Sequence, residues 1–357
     1  MRAAVYRAIN DVRLETVPVP AIGPGELLVK IATCGLCGTD LKKIHMGSHS
    51  APRIFGHEMA GIVAATGAGV TNFAVGDRVV VFHHIPCGHC HYCRKQTFAQ
   101  CETYKRTGTT AGFEPSGGGF SEYIRVMDWI VANRGVVRIP DGVPFEQAAF
   151  AEPLNTVLKG VKMLNLEPDD TVLVIGQGPI GLMHAALAAR TGARVFTSDL
   201  FPERHALAAR FGLKNPIDAS KENVVERMQA ATEGRGADAV ILAVGGNSLI
   251  RAAMDAARPG GKVMLFAQTQ HGEATIDPGV VCMDEKALIG SYSASIAIQD
   301  EVLDLIFSGY RNGFDLTQLI SHRLPLDEAI AAIDLASHPQ AGSMKIMMEP
   351  MLGAGAE

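Results

Sequence analysis

The sequence predicts an α/β protein of two domains, one mostly β and one built on a doubly wound parallel sheet. The first observation is length, because 357 residues exceed what one ordinary hydrophobic core organises. The second is that the first third of the chain consists of short β-like runs punctuated by glycine. The third is that helical stretches alternate with apolar strands from about residue 155, which indicates βαβ units.

The β-like runs of the first third predict an irregular, barrel-like domain with few helices. They are ELLVKIATCG (26–35), AGIVAATGAGV (60–70), GDRVVVF (76–82) and FSEYIRV (120–126). The alternating segments are NTVLKGVKMLN, TVLVIG, PIGLMHAALAART, ARVFTSD, PERHALAARFG, ADAVILAV and GKVMLFA. After residue 290, two amphipathic helices (QDEVLDLIFSG and LDEAIAAIDLAS) and a last strand (KIMMEP) are expected to return to the first domain. We therefore expect one domain from residues 1–153 and 291–357 and a second from residues 154–290.

The composition excludes several classes of function. Hydrophobic residues make up 47% of the chain, charged residues 19%, and the formal net charge is −5, so nucleic acid is not an expected partner. The N-terminus has no apolar core of signal-peptide length, and no run of about 18 apolar residues occurs elsewhere. The sequence therefore predicts a soluble cytoplasmic protein that does not enter a membrane.

Four of the seven cysteines lie in the single stretch CGHCHYCRKQTFAQC. Because the total is odd and thiols in the cytoplasm stay reduced, this spacing indicates metal ligation rather than disulfides. Four thiolates can close a tetrahedral zinc site that leaves no position for a substrate. The stretch 86–102 is thus predicted to be a structural zinc lobe with His89 and His91 as bystanders; the alternative is a loop of unconnected thiols. The four predicted ligands are Cys87, Cys90, Cys93 and Cys101.

The segment TVLVIGQGPIGLMHAALAA places the pattern G-x-G-x-x-G between an apolar strand and a helix, as a dinucleotide-binding turn requires. Gly176 permits the tight turn, Gly178 lets the backbone approach a pyrophosphate, and Gly181 allows close helix–strand packing. The helix N-terminus favours the anion, and Pro179 suits the first helical turn. The predicted cofactor-binding residues of this turn are Gly176, Gly178, Pro179, Ile180 and Gly181.

The next strand, ARVFTSD, indicates which dinucleotide binds. Asp199 lies where a carboxylate accepts both hydroxyls of an adenosine ribose, and Leu200 offers no cation to offset its charge, so the pattern favours NAD over NADP. The alternative is a glycine-rich turn in another doubly wound fold, with Asp199 as a helix cap. Lys345, near the final strand, has two interpretations: a contact with the cofactor pyrophosphate, or a solvated lysine.

A second metal site is predicted from two separate stretches, CGLCGTDLKK and GHEMAGIVAATGAGV. Cys37, His57 and Glu58 supply one sulfur, one nitrogen and one oxygen donor, and three ligands leave a position open for substrate, as in a catalytic zinc site. In isolation, His57 would be a satisfied core histidine and Glu58 a surface acid. Cys34 and Cys37 form a C-x-x-C without a thioredoxin-like context, so Cys34 is predicted to be buried filler.

Together these motifs resemble the zinc-dependent medium-chain alcohol dehydrogenase family, in family order and over nearly the whole chain. They are CGLCGTD, GHE-x2-G-x5-G-x2-V, the four-cysteine lobe, AEPL at 151–154 and G-x-G-x-x-G. The resemblance implies a split GroES-like catalytic domain that encloses a Rossmann domain, usually in homodimers or homotetramers. It also implies that Cys37 and His57 ligate a catalytic zinc and that Glu58 is a ligand or near-ligand. Asp40 would orient His57 by fixing the tautomer of its imidazole.

The residue at the position of Glu152, in AEPL, separates branches of that family. Simple alcohol dehydrogenases tend to have cysteine there, whereas this chain is similar to sorbitol, threonine and other polyol dehydrogenases, where glutamate ligates zinc or lies behind a zinc-bound water. The resemblance therefore favours a polyol or sugar-derived alcohol as the small-molecule substrate. The chain departs from many relatives at Lys42, where they have a histidine at the outer end of a proton relay. His45 is close in sequence, and the sequence leaves open whether its side chain reaches that relay.

The implied reaction is oxidation of a secondary alcohol to a ketone by hydride transfer to NAD. Each chain would hold two zinc ions, one catalytic and one structural. Zinc would lower the pKa of the substrate hydroxyl, Thr39 would take its proton, and Glu152 could exchange with water on the metal. The alternatives within enzymes are a threonine-type or general alcohol dehydrogenase and a zinc-free quinone or enoyl reductase, which has no use for the metal-ligand residues. A zinc-ribbon interaction module, from another class, leaves the dinucleotide turn unexplained.

Overall fold

The computed structural model describes residues 1–82, 85–103, 118–267, 272–340 and 342–352. The chain divides into two compact units. Unit 1 consists of Met1–Asn155 and Ala294–Glu357, and unit 2 consists of Thr156–Ser293. The chain thus leaves unit 1 once and returns to it. Residues 104–117, which the expected first domain includes, lie outside the described residues.

The helices and strands are numbered along the chain. The strands are β1 (Arg2–Ala8), β2 (Asp11–Thr16), β3 (Leu27–Gly35), β4 (Arg53–Ile54), β5 (Glu58–Thr66), β6 (Arg78–Val81), β7 (Tyr123–Val126), β8 (Val136–Arg138), β9 (Thr171–Ile175), β10 (Arg194–Asp199), β11 (Asn215–Asp218), β12 (Ala237–Leu242), β13 (Ala257–Leu265), β14 (Ala287–Gly290), β15 (Ile320–Pro325) and β16 (Lys345–Glu349). The α-helices are α1 (Gly38–Met46), α2 (His91–Arg94), α3 (Asp128–Ala132), α4 (Phe145–Ala149), α5 (Ala151–Leu164), α6 (Pro179–Ala189), α7 (Glu203–Arg210), α8 (Val224–Ala231), α9 (Asn247–Ala256), α10 (Pro278–Met283), α11 (Gln299–Arg311) and α12 (Ala329–Ser337). None of these helices has both the length and the apolar character that crossing a bilayer requires.

The described residues of unit 1 form two β-sheets. The smaller sheet has the strand order β2-β1-β4, and the larger has the order β15-β16-β3-β5-β6-β8, with β7 also paired to β3. Leu27, Val29 and Ile31 alternate along β3 and are fully buried, as expected for a strand with one face on the core. The C-terminal strand β16 pairs antiparallel with β3, so the tail of the chain lies beside the end of β3.

Unit 2 is a parallel sheet with the order β11-β10-β9-β12-β13-β14. Numbered from β9 as the first strand of the unit, this is the order 3-2-1-4-5-6, which defines the doubly wound dinucleotide-binding fold. The order reverses at β9 and β12, and ligands of such sheets bind in the crevice beyond the carboxyl ends of these strands. The glycine-rich turn directly follows β9 and therefore lies at that crevice.

The central strands of unit 2 are buried on both faces. Val172, Leu173 and Val174 are fully buried, which explains why TVLVI is a continuous apolar run rather than an alternating one. The edge strand β11 contains Pro216, a residue that the middle of a sheet excludes and an edge tolerates. The apolar run thus predicts the centre of the sheet, whereas its edge carries no comparable signal.

Candidate active site

Cys37 lies where β3 gives way to α1. It precedes the helix in an extended conformation, and the backbone N–H of Thr39 donates to its Sγ at 3.5 Å. A helix N-terminus favours a thiolate because the unpaired N–H groups give it a partial positive charge. The local fold therefore directs a backbone N–H at the Cys37 sulfur, with the half-buried Thr39 next to it.

The GHE stretch reaches Cys37 through strand pairing. Gly56 has a φ of 99°, and a Cβ there would lie 2.8 Å from the backbone N of Phe120, so the turn requires glycine. Glu58 opens β5 and pairs in register with Gly35 of β3. Because Gly35 precedes Cys37 by two residues, the antiparallel pairing of β3 and β5 brings the GHE stretch to the sulfur.

Three potential metal ligands meet at this point. The ligand atoms of Cys37, His57 and Glu58 all lie within 4.8 Å of one another. His57 and Glu58 are buried, and Cys37 is half-buried. One thiol, one imidazole and one carboxylate form a donor set that suits Zn²⁺ and leaves a coordination position for water or substrate. In residue type and in proximity, these side chains fit the catalytic zinc site expected from the sequence.

A buried carboxylate holds the imidazole of this group. Asp40 is fully buried, and its Oδ1 lies 3.0 Å from Nδ1 of His57. Burial alone disfavours the imidazolium, but Asp40 and the Cys37 thiolate raise the pKa of His57 well above its usual value. Burial also opposes ionisation of Asp40, but His57 keeps the pKa of that carboxyl below its usual range. Asp40 thus accepts the Nδ1 proton, so Nε2 is the nitrogen that would bind a metal, with release of its own proton.

Lys345, on β16, joins the same group. Its ammonium contacts the Glu58 carboxylate and donates to the Leu36 carbonyl at 2.9 Å. Burial disfavours its charge, but Glu58 and Cys37 raise the pKa of Lys345. A buried carboxylate needs a counter-ion, and Lys345 supplies it. Lys345 is therefore not a solvated lysine, and its partners among the described residues are the Glu58 carboxylate and the Leu36 carbonyl.

Glu152 is buried in the first turn of α5, with 5% of its surface exposed. The helix begins at Ala151, four residues before the helical stretch that the sequence pattern indicates. Glu152 is not among the residues whose ligand atoms lie within 4.8 Å of one another. The structure therefore brings Cys37, His57 and Glu58 together and leaves Glu152 outside that group.

The four cysteines of the lobe also converge. Their Sγ atoms lie within 4.8 Å of one another, with Cys93 Sγ 3.5 Å from Cys90 and 3.9 Å from Cys87. Thiolates of a tetrahedral zinc site are about 3.8 Å apart, so these separations suit that geometry. Burial opposes the ionisation of Cys87, but backbone N–H groups lower its pKa to about 6. Burial and the neighbouring Cys90 raise the pKa of Cys93 to about 12, so the cluster does not fully ionise without a cation.

The glycine-rich turn of unit 2 has the geometry of an anion cradle. Gly176 has a φ of 100°, and a Cβ at Gly181 would lie 1.8 Å from the Gly176 carbonyl oxygen, so both positions require glycine. A Cβ at Gly178 would meet no described atom within 4 Å, so this backbone borders open space. Pro179 occupies the first position of α6, and Ile180 follows it. A pyrophosphate fits here because it would meet the Gly178 backbone and the helix N-terminus together.

Asp199 ends β10 and accepts three hydrogen bonds. Its Oδ2 receives the Gln177 backbone N–H at 2.7 Å and an Arg204 guanidinium N–H at 3.1 Å, and its Oδ1 receives the Phe201 N–H at 2.9 Å. The expectation that no cation offsets this carboxylate is therefore wrong. Leu200, the next residue, carries no charge. The first turn of α7, however, brings Arg204 close to the Asp199 carboxylate at the end of β10. A cation in the first turn of the predicted helix was the signal available in the sequence.

Lys42 and His45 are the two residues considered for the outer end of a proton relay. His45 is exposed and bonds Asn10 Oδ1 through Nδ1 at 2.6 Å and Ser337 Oγ through Nε2 at 2.8 Å. Lys42 is half-buried, and burial lowers the pKa of its ammonium while Cys37 opposes that shift. The structure thus places Lys42 within electrostatic range of Cys37 and engages His45 with two surface residues.

Comparisons with known proteins agree with this architecture. The family model "Alcohol dehydrogenase GroES-like domain" matches residues 23–141, and "Zinc-binding dehydrogenase" matches residues 179–308. The chain is 33% identical to an L-threonine 3-dehydrogenase of Mesorhizobium japonicum, over 98% of each chain. It is 28% identical to a sorbitol dehydrogenase of Bacillus subtilis, over 98% of this chain and 97% of the relative.

A solved structure with the same fold is described as a zinc-binding dehydrogenase from Sinorhizobium meliloti bound to NADP. It superposes with a TM-score of 0.86 at 30% identity, over 98% of this chain and 99% of that one. The fold and the matches define an oxidoreductase with a GroES-like domain and a Rossmann-like domain. The chain belongs to the zinc-dependent medium-chain dehydrogenases, in the branch of the polyol and threonine dehydrogenases.

Proposed function

We propose that this protein uses zinc and NAD to oxidise a secondary alcohol of a polyol or sugar-derived substrate to a ketone. The observation that carries the proposal is the group of Cys37, His57 and Glu58, in which a carboxylate oxygen joins one thiol and one imidazole. Glu152 adds another buried carboxylate to unit 1. Oxygen donors make a metal site harder and more polar, which favours oxygen-rich substrates over apolar alcohols. Sorbitol and L-threonine, named for the two relatives, both carry a polar group next to a secondary alcohol.

In this proposal, Cys37, His57 and Glu58 hold the catalytic zinc, which would act as a Lewis acid on the substrate hydroxyl. Asp40 keeps the proton of His57 on Nδ1, so that Nε2 faces the metal. Lys345 compensates the charge of Glu58. Thr39, held beside Cys37 by its backbone, would accept the proton of the substrate hydroxyl while passing its own hydroxyl proton to water, and Glu152 would be a further carboxylate available to the metal in place of water.

The proposed redox partner is NAD, which supplies the hydride acceptor. The turn from Gly176 to Gly181 and the N-terminus of α6 would hold its pyrophosphate, and Asp199 would accept the ribose hydroxyls. A 2′-phosphate would meet the Asp199 carboxylate, although Arg204 reduces that repulsion. We therefore propose a preference for NAD that is finite rather than absolute.

The experiment is a comparison of kcat/KM across alcohols, with zinc-replete protein and saturating NAD. The series contains ethanol, hexanol, L-threonine, tetritols, hexitols and inositols, and each compound is also tested with NADP. We expect the best substrate to carry a hydroxyl next to the oxidised carbon, because buried polar groups penalise an analogue that leaves them unpaired. A lead by ethanol or hexanol would contradict the polyol assignment and leave the dehydrogenase assignment intact. A lead by L-threonine would favour the threonine-type alternative.

A further inference from the structure

The stretch that joins the metal-ligand residues is strongly basic. Residues 41–57, LKKIHMGSHSAPRIFGH, contain two lysines, one arginine and three histidines and no aspartate or glutamate. The chain as a whole has more acidic than basic residues, 37 against 32, so this stretch departs from the balance of the molecule. A positive field next to the Cys37, His57 and Glu58 group needs a physical explanation.

Lys43 is one of these basic residues, and its side chain is largely buried in unit 1. Its Nζ lies 3.7 Å from Asp40 Oδ1 and 5.7 Å from the centre of the Phe55 ring, and 14% of its side chain is exposed. Asp40 Oδ1 also lies against His57 Nδ1, so a single carboxylate serves two cationic or proton-donating partners. The charge of Lys43 is therefore only partly balanced by its neighbours, in a place where water screens it poorly.

His49 lies on the same Phe55 ring as Lys43, within electrostatic range of both Lys43 and Arg53. The His49 ring packs edge-on against Phe55, with centroids 6.0 Å apart. Burial lowers the pKa of His49, and the positive charges of Lys43 and Arg53 lower it further. The half-buried Arg53 donates to the carbonyl and the hydroxyl of Ser50, which are uncharged acceptors.

Among the described residues, the charges around Lys43 are thus mostly positive. Asp40 is shared between His57 and Lys43, and Glu58 is paired with Lys345. A dication held by Cys37, His57 and Glu58 would bring two positive charges, of which a metal-bound thiolate offsets only one. Partly buried cations are costly unless an anion accompanies them, and a ligand that supplies one would be stabilised by charge-assisted hydrogen bonds.

We propose that the substrate carries an anionic oxygen group, a carboxylate or a phosphate, that binds Lys43 and Arg53 while its hydroxyl lies at the metal. This inference rests on the proposed dehydrogenase function and narrows its substrate class from neutral polyols to hydroxy acids or polyol phosphates. The arginine supplies a planar pair of donors that matches either group, and the lysine supplies a point charge.

The test compares substrates that differ only in the anion. L-threonine is paired with L-threoninol for the carboxylate, and sorbitol 6-phosphate is paired with sorbitol for the phosphate, all with zinc-replete protein and saturating NAD. The anionic member of one pair should exceed its neutral partner in kcat/KM by about tenfold or more, an advantage that added KCl reduces. The pair that shows the advantage identifies the anion.

Variants of Arg53 test whether the higher kcat/KM of the anionic substrate arises at the proposed anion site. Arg53→Gln should lower kcat/KM of the anionic member much more than that of its neutral partner and so remove most of the anionic advantage, because the arginine charge acts on the charged ligand. Arg53→Lys should retain part of the anionic advantage. Arg251→Gln, in unit 2, should leave that advantage unchanged. Equal use of both members of each pair, or an equal loss for both in Arg53→Gln, would overturn the proposal while the dehydrogenase function stands.

Calorimetry gives a readout that does not need turnover. Glycerol 3-phosphate and glycerol are titrated into the NADH complex of the zinc-replete protein and of Arg53→Gln. Tighter binding of the phosphate that Arg53→Gln abolishes supports the anion site even where no alcohol is oxidised, a result that would overturn the proposed function alone. Equal binding of both probes, or binding that survives Arg53→Gln, contradicts the anion site.

Discussion

Asp40 Oδ1 lies 3.0 Å from Nδ1 of His57, and both side chains are buried in unit 1. The contact fixes the imidazole tautomer and ring orientation, so that Nε2 is the nitrogen available to a metal. Asp40 makes this contact from the first turn of α1, which Cys37 precedes as the capping residue. The same short stretch thus supplies one predicted ligand and the residue that orients another.

Replacing Asp40 by Asn should weaken zinc binding at the proposed catalytic site formed by Cys37, His57 and Glu58. The amide keeps the size of the carboxylate but removes its charge, and loss of such a partner typically reduces metal affinity about 10- to 100-fold. The affinity is measured by competition with a chelator of known zinc affinity. Asp300→Asn is the control, because Asp300 is an exposed acid in the same unit. An unchanged affinity in Asp40→Asn would show that the contact does not orient a metal ligand.

Lys345→Met should destabilise the metal-free protein. The change leaves the Glu58 carboxylate buried without its counter-ion, and breaking a buried pair in this way typically costs about 3–5 kcal/mol of unfolding free energy. The double variant Glu58→Gln with Lys345→Met should recover most of the loss. Urea unfolding is followed by fluorescence of Trp129, which is the single tryptophan of the chain and lies in unit 1. Equal losses in the single and double variants would contradict the pairing.

Asp199→Ser should shift the cofactor preference towards NADP. The change removes the acceptor of the ribose hydroxyls and frees the Arg204 guanidinium to meet a 2′-phosphate. The ratio of NAD to NADP dissociation constants should move by about tenfold or more, equivalent to about 1.4 kcal/mol. The control is Asp218→Asn, since Asp218 occupies the same register on the neighbouring strand. A preference for NADP in the unmodified protein would refute the assignment of the ribose site.

Acid should destabilise unit 2 through His184. The ring is fully buried and lies edge-on to Phe266 at 4.4 Å, and burial lowers its pKa to about 3. The unfolded chain, with a pKa near 6.5, binds this proton first, so stability is present above that pH and is lost as the pH falls towards 3. Relative to His184→Leu, the wild type should lose about 2 kcal/mol between pH 8 and pH 5.

The measurement is urea unfolding followed by circular dichroism at each pH. The exposed His338 provides a matched control, and His338→Gln should keep the wild-type dependence on pH. Parallel pH profiles of the wild type and His184→Leu would refute this role of His184.

The sequence could predict those features whose residues are close along the chain. The four lobe cysteines and the glycine-rich turn are local patterns, and each contains its own spacing rule. The alternation of apolar strands and helices indicates the parallel sheet of unit 2 because its central strands are buried on both faces. Cys37 and the GHE stretch are further apart, and the β3–β5 pairing joins them.

Long-range partners could not be predicted in this way. Lys345 meets Glu58 because β16 pairs with β3, a contact between distant parts of the sequence that no local pattern encodes. The contact of Arg204 with Asp199 was easier to predict, because only the first turn of α7 separates the two residues. The position of Glu152 depends on how α5 packs, which its own sequence does not determine.

Zinc content measured against turnover tests the central claim most directly. Protein prepared without chelator is stripped in steps, and NADH formation from the best polyol is recorded at each ratio of zinc to chain. We expect two zincs per chain and no activity when only the tetrathiolate lobe is loaded. The rate should then rise linearly as the open site refills, because the closed site holds its ion more tightly. Full activity with one tightly held zinc, or with none, would contradict it.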